Sequence, residues 1–144
     1  MSIIVLDASV AAKFYVRERD SDLAQSLVDR EFNFLVPDIF FSEVANAIRK
    51  QHREDGQLDA ASVRLAIDDL LMIGAEPVAS TVLLPRSIEI VLSLDHSVYD
   101  CLHLALADRA QTVLVMADMH LVRKSKESSW ANRVISLANI DEIG

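Results

Sequence analysis

Cysteine is nearly missing from this chain: Cys101 is the only one in 144 residues, which excludes an intramolecular disulfide framework and most thiolate metal sites. Glycine is scarce too. Gly56, Gly74 and Gly144 are isolated from one another, whereas a phosphate-cradling loop needs glycines in series. Hydrophobic runs are short, and none reaches the roughly 18 residues of a membrane span. The N-terminus passes straight into Ile3-Ile4-Val5-Leu6 with neither a basic region nor a cleavage site, so a soluble, cytoplasmic protein without membrane contact is expected. Basic residues are outnumbered, 14 Lys and Arg against 22 Asp and Glu, for a net charge of −8. That balance argues against nonspecific coating of nucleic acid through a basic face. It permits an acidic pocket loaded with cations, whose charge offsets the repulsion a polyanion would otherwise meet. The four histidines, His52, His96, His103 and His120, are scattered, and none has sequence support as a general base. His103, three residues after Asp100, reads as a helix-surface residue. No repeat, low-complexity tract or linker divides the chain, and residues 1–144 are expected to form one domain.

What is present is a set of apolar runs that stop at carboxylates. Ile3-Ile4-Val5-Leu6 is continuous and apolar, as a central parallel strand should be, and it stops at Asp7. Residues 112–117, TVLVMA, form a second such run and stop at Asp118. Ligands of parallel α/β sheets gather outside the carboxyl ends of the strands, so an acid at either point needs a reason. Ser97 followed by Asp100, just ahead of Cys101, Leu102, Leu104, Ala105, Leu106 and Ala107, has the form of a capping box at a helix start. Taken alone, Asp100 fits capping as well as it fits chemistry. Asp7 and Ser9 are both placed to cap a helix over residues 8–17. For Ser9 capping is as natural as a chemical role, whereas the strand-end position of Asp7 favours chemistry.

A helix over residues 21–30 puts Leu23, Leu27 and Val28 on its buried stripe. Phe34-Leu35-Val36 is a short strand stopped by Pro37, after which Asp38 is placed to cap a helix running to about residue 54. Phe40, Phe41, Val44, Ala45, Ala47 and Ile48 form its buried arc, and Glu43 lies about 40° beyond the edge, beside Ile39. That acid either pairs with Arg49 or Lys50 at the boundary or serves a site, with Asn46 one turn on placed either to orient it or simply to face water. Asp59 caps a helix over residues 59–73, with Val63, Ile67, Leu70 and Leu71 inward and Asp68 and Asp69 on a solvated face. An edge strand over residues 76–79 precedes a helix over 81–94, with Pro85 in its first turn and Ile88, Val91 and Leu92 in the core. Asp118 opens a short helix whose basic end is Arg123, Lys124 and Lys126. Residues 133–137 supply a last strand. This order predicts an α/β protein, a three-layer α/β/α sandwich around a mainly parallel sheet.

Asp7, Glu43, Asp100 and Asp118 are thereby expected at one end of the sheet. Carboxylates so bunched raise one another's pKa values and stay ionised chiefly around a divalent cation. With oxygen donors and no His or Cys at metal spacing, that cation is Mg2+ or Mn2+ rather than zinc. Held by few carboxylates, it keeps water and open positions, as hydrolysis of a phosphodiester requires. A phosphoaspartate site fits less well, since the second Asp it needs is replaced by Ser9.

Four blocks stand in order along the chain: VLDASVAAKF at 5–14, PDIFFSEVANAI at 37–48, HSVYDCLHLALA at 96–107 and LVMAD at 114–118. Through them the sequence resembles the PIN-domain ribonucleases, most closely the VapC-type toxins of bacterial and archaeal toxin–antitoxin pairs, over essentially its whole length. The resemblance implies a PIN-like fold and a Mg2+- or Mn2+-dependent endoribonuclease, with Asp7, Glu43, Asp100 and Asp118 as catalytic, metal-binding acids. It implies supporting roles for Ser9 and Asn46, a homodimer, and silencing by a cognate antitoxin with a basic C-terminal tail. Candidate contacts to the RNA backbone are Lys13, Arg17, Arg49, Arg53, Arg123 and Lys124. The alternatives are a housekeeping PIN nuclease in RNA processing and a catalytically inert PIN-like interaction module. Met116 departs from the pattern, standing where a Thr is usual and removing a hydroxyl from the site. No further acid closely follows Asp118, so one tightly held ion is expected.

Overall fold

The computed structural model describes residues 2–54, 56 and 58–143. Its strands β1 (Ile3–Leu6), β2 (Asn33–Pro37), β3 (Glu76–Val78), β4 (Leu114–Met116) and β5 (Val134–Ser136) form one parallel sheet in the order β3-β2-β1-β4-β5. On β1, Val5 is in register with Leu35 of β2 and Leu114 of β4, so β1 is the central strand. Alternate side chains of a strand point to opposite faces. Ile4 and Leu6 join Phe34, Val36 and Val115 on one face, and Val5 joins Leu114, Met116 and Val134 on the other. Both faces are apolar because both are covered, which is the condition under which continuous Ile, Val and Leu runs make parallel strands.

Helices α1 (Ala8–Ala11), α2 (Ser21–Asp29), α3 (Phe40–Glu54) and α4 (Ala60–Met72) contribute to the core on the first face. The second face packs against α5 (Ser80–Leu94), α6 (Val98–Arg109) and α7 (Met119–Ser125). The expected three-layer sandwich is therefore present, with a sheet that is parallel throughout. Cys101 to Ala107 of α6 are all buried, His103 among them. Since α6 runs into β4, its N-terminus lies at the carboxyl end of the sheet, the end from which α3 also starts. No single helix among the described residues is long and apolar enough to cross a membrane.

Several local expectations need correction. The first helix stops at Ala11 and tightens into a 3-10 turn over Ala12–Phe14. The Ser21 hydroxyl then donates to the Val16 carbonyl and accepts from the Glu18 N–H, folding the chain back into α2 instead of letting the helix reach residue 17. On α2, Ala24 takes the buried place expected of Val28, which is exposed. Helix α3 begins at Phe40, and the Asp38 carboxylate accepts the Ser80 hydroxyl rather than capping it. Asp69 is not merely solvated, because Tyr15 Oη donates to it at 2.8 Å and ties α4 to the 3-10 turn. Leu71 points outward on the same helix, where Ala66 packs inward. Ile88 and Leu92 of α5 are exposed, and Leu83, Ser87 and Ile90 face the core instead. Ser87 sits there because its hydroxyl donates to the Leu83 carbonyl at 2.8 Å, leaving no unpaired polar group. Because α5 starts at Ser80, Pro85 falls in the second turn and leaves the Thr81 carbonyl without its helical donor.

Leu104, fully buried on α6, and Leu65, 69% exposed on α4, separate core from surface. Leu104→Ala is expected to cost about 2–5 kcal/mol in urea unfolding, and Leu65→Ala to stay within about 0.5 kcal/mol of wild type.

Candidate active site

Asp7 emerges from β1 at the centre of the sheet, its backbone N–H still paired with the Val115 carbonyl at 3.1 Å. Its side chain is almost wholly buried and accepts the Ser9 N–H at 2.9 Å, so it caps α1 as well as facing the site. Ser9 adds a second tie. Its Oγ accepts the Ala117 N–H at 3.2 Å, joining the ends of β1 and β4. A hydroxyl is thus present at the end of β4 although Met116, buried in the core behind it, supplies none.

Glu43 stands in the first turn of α3 and Asp100 in the first turn of α6, where the positive ends of the helices favour their ionised forms. The expected capping box is only half made. Ser97 Oγ accepts the Tyr99 N–H, while the Asp100 carboxylate turns to His96, whose Nε2 lies 2.6 Å from Oδ2. His103 is fully buried, not a helix-surface residue. Its Nδ1 lies 3.0 Å from the Tyr99 carbonyl oxygen and 3.7 Å from Asp7 Oδ1, and its Nε2 lies 3.6 Å from Glu43 Oε1. The imidazole therefore sits between two of the acids.

Burial pushes the Glu43 carboxyl up from 4.5 to about 7; the adjacent His103 opposes the rise, and Asp7 and Asp100 add to it. Asp100 is raised too, by burial first and by the charge of Asp7 second, against the pull of its hydrogen bond to His96. Cys101, the neighbour of Asp100, has its thiol pushed up to about 11 by burial, which leaves it unreactive packing.

Asp7, Glu43 and Asp100 are therefore electrostatically coupled. Asp118 follows β4 as expected but is exposed, and its Oδ1 accepts the His120 N–H at 2.9 Å as the cap of α7. Asn46 is exposed on α3. Among the described residues, no three His, Cys, Asp or Glu side chains are already assembled as a metal cage. Mg2+ does not need one, since it is held through one or two carboxylates and keeps several waters. The oxygen donors of Asp7, Glu43 and Asp100 fit such a hard cation, and Glu43 Oε1 is buried without a hydrogen-bond partner among the described residues. Of the candidate backbone contacts, Lys13 is largely buried and donates to Glu18 and the Arg19 carbonyl, and Arg17 pairs with Asp22. Arg49, Arg53, Arg123 and Lys124 are exposed, with the Lys124 ammonium donating to the Asp95 carbonyl.

Neither of the two site histidines stands out in the sequence as a site residue. His96 stands one helical turn before Asp100, and His103 is the only polar residue in the run from Cys101 to Ala107. A single polar residue inside a helix segment apolar on every side is the signal that would have placed it indoors.

The PIN domain profile matches residues 4–127. No curated protein matches the sequence. Among solved structures, a toxin–antitoxin complex from Klebsiella pneumoniae is similar with a TM-score of 0.62 and 15% identity, over 93% of this chain and 97% of that one. VapBC2 from Rickettsia felis, bound to a DNA fragment from its promoter, is similar with a TM-score of 0.62 and 11% identity, over 93% and 98% of the two chains. At these identities the likeness concerns the fold.

Glu43 gives the metal-free protein a measurable pH dependence. Its carboxyl ionises near 4.5 when unfolded and near 7 when folded, so stability present at low pH is lost as pH rises through that window. Glu43→Gln is expected to stabilise the chelator-treated protein by about 1–2 kcal/mol at pH 8 and to change nothing at pH 4. The side chain is 31% exposed, and solvent screening keeps the gain below the full conversion of the shift. Denaturant melts at the two pH values check this; equal stability of the two proteins at pH 8 would sink it.

Proposed function

The chain belongs to the PIN-domain family, and from that premise we propose that it is a Mg2+- or Mn2+-dependent endoribonuclease, the toxin of a type II toxin–antitoxin pair. The observation that carries this reading is the convergence of Asp7, Glu43 and Asp100 at the carboxyl end of the sheet, with two of the three carboxyls raised in pKa. Such a set is relieved by a divalent cation. The two similar structures are both toxin–antitoxin assemblies, which supports the toxin role.

In this reading Asp7, Glu43 and Asp100 would hold the cation, with Asp118, the exposed acid after β4, as the fourth candidate ligand. When bound, the ion supplies charge neutralisation at the scissile phosphate and eases deprotonation of the attacking water. Ser9 keeps the β1 and β4 ends together, and His96 fixes the Asp100 carboxylate by one oxygen, leaving the other to ligate. Asn46, one turn after Glu43 and exposed, would play a supporting role beside it. Arg49, Arg53, Arg123 and Lys124 are the exposed cations suited to the RNA backbone. Lys13 and Arg17 fit that role less well, because each already has an acidic partner. The net charge of −8 suits a cognate antitoxin with a basic C-terminal tail. The protein acts in the cytoplasm as a homodimer.

Purified protein is expected to cut RNA with Mg2+ or Mn2+ and to stop when the metal is chelated. Asp7→Asn and Asp100→Asn should each lower the rate by at least about 100-fold, the scale of losing one pre-organised charge-stabilising group. Expression of wild type should arrest growth, and Asp100→Asn should not. Intact RNA after incubation with either ion, together with unimpaired growth, would overturn the reading.

A further inference from the structure

A cavity of about 300 Å3 opens among three segments of the chain, and nothing in the proposed chemistry uses it. Ala117 and Met119 line it from either side of Asp118, which places it at the carboxyl end of β4, the end of the sheet that carries the acids. Leu137 and Ala138 line it from just beyond β5, and Arg19 and Asp20 from the loop ahead of α2. Lys13 is part of the same lining, with its side chain only 11% exposed. Its ammonium donates to the Arg19 carbonyl at 2.7 Å and pairs with Glu18 at 3.3 Å, so its charge is answered within the protein. Lys13 thereby braces the loop that carries Arg19. The Arg19 side chain is exposed and forms no ion pair among the described residues. The lining thus combines a free guanidinium, an acceptor in the Asp20 carboxylate, and apolar surface from Met119 and Leu137. A guanidinium grips phosphate with two parallel N–H donors, and a carboxylate accepts from the amino edge of a base. Free phosphate would leave the apolar lining bare, and a basic peptide would meet Arg19. Small-molecule sites run from roughly 300 to 1,000 Å3, and the small end of that range suits a single nucleotide.

We propose that this cavity is a nucleotide subsite beside the acids: it takes a nucleotide of the RNA strand next to the scissile bond, with phosphate on Arg19 and base against Met119 and Leu137. The inference rests on the metal-nuclease reading of the acids. Arg19 and the apolar lining touch the strand and not the reacting atoms, so their loss falls on binding before turnover. Lys13 is a positioning residue that acts through Arg19.

Two variants address the cavity without entering the core: Arg19→Ala removes the free cation, and Ala138→Trp fills the space from an exposed position. Arg64→Ala, which changes an exposed arginine of α4 outside the lining, is the control. Circular dichroism confirms folding, and Arg19→Glu replaces Ala138→Trp where the latter does not fold. Fluorescence anisotropy with a labelled single-stranded oligoribonucleotide, in chelator so that nothing is cut, should show both cavity variants binding about tenfold more weakly than wild type. Arg64→Ala should bind as wild type does. The salt dependence of Arg19→Ala should be shallower by about 0.7, the slope of one phosphate contact to a single strand. With Mg2+ present, both cavity variants should raise KM for RNA cleavage by a similar factor and change kcat less. Wild-type binding and KM in both cavity variants, or an equal loss in Arg64→Ala, overturns the subsite and leaves the nuclease reading standing. Lost binding of adenosine monophosphate with undiminished oligonucleotide binding makes the ligand a free nucleotide and overturns the RNA role. Weaker oligonucleotide binding in the variants of a wild type that cuts no RNA with either ion overturns the nuclease reading and supports the cavity as an RNA site.

Discussion

A parallel strand in the middle of a sheet is covered on both faces and paired along both edges, so the only part of it that can meet a ligand is its end. β1 is such a strand, with Val5 paired to Leu35 on one side and Leu114 on the other. Every other feature of the site follows from where β1 stops. Asp7 is delivered to the carboxyl edge already buried and already bonded to the next turn. The helices that start or end at that edge bring Glu43 and Asp100 to it, each in a first turn where the helix dipole favours a negative charge.

Placing acids there has an electrostatic cost that the structure spreads over several groups. Burial and mutual repulsion raise the Glu43 and Asp100 carboxyls, while His96 and His103 oppose the rise. The result is a pair of carboxyls, Glu43 and Asp100, that keep their protons to higher pH than free ones do. Asp118 stays outside this compromise. It is exposed and bonded to its own helix, and so is not buried with the other three.

Legibility in the sequence followed periodicity and chain breaks. Asp7 and Asp118 were visible because unbroken apolar runs end on them, and Glu43 because it interrupts the edge of a clean helical stripe. The misreading of α5 has a definite cause: Ser87 hides its polarity by bonding the Leu83 carbonyl, so the inward face carries a serine and the outward face carries Ile88 and Leu92. Helix α6 is apolar on all sides, and periodicity is silent for an element buried all round. That silence leaves His103 reading as a surface residue in the sequence. Its distance to Glu43 depends on how α3 and α6 dock, which no local pattern encodes.

The bond from the Ala117 N–H to Ser9 Oγ joins residues 108 positions apart, and β1 cannot pair with β4 until both exist. Wholly parallel topology makes this unavoidable, because each strand waits for a crossover before it finds its neighbour. On the ribosome, Asp7 and Glu43 emerge well before Asp100. The nascent polypeptide therefore carries Asp7, Glu43 and Asp100 in separate pieces until the helix and strand that follow them have emerged.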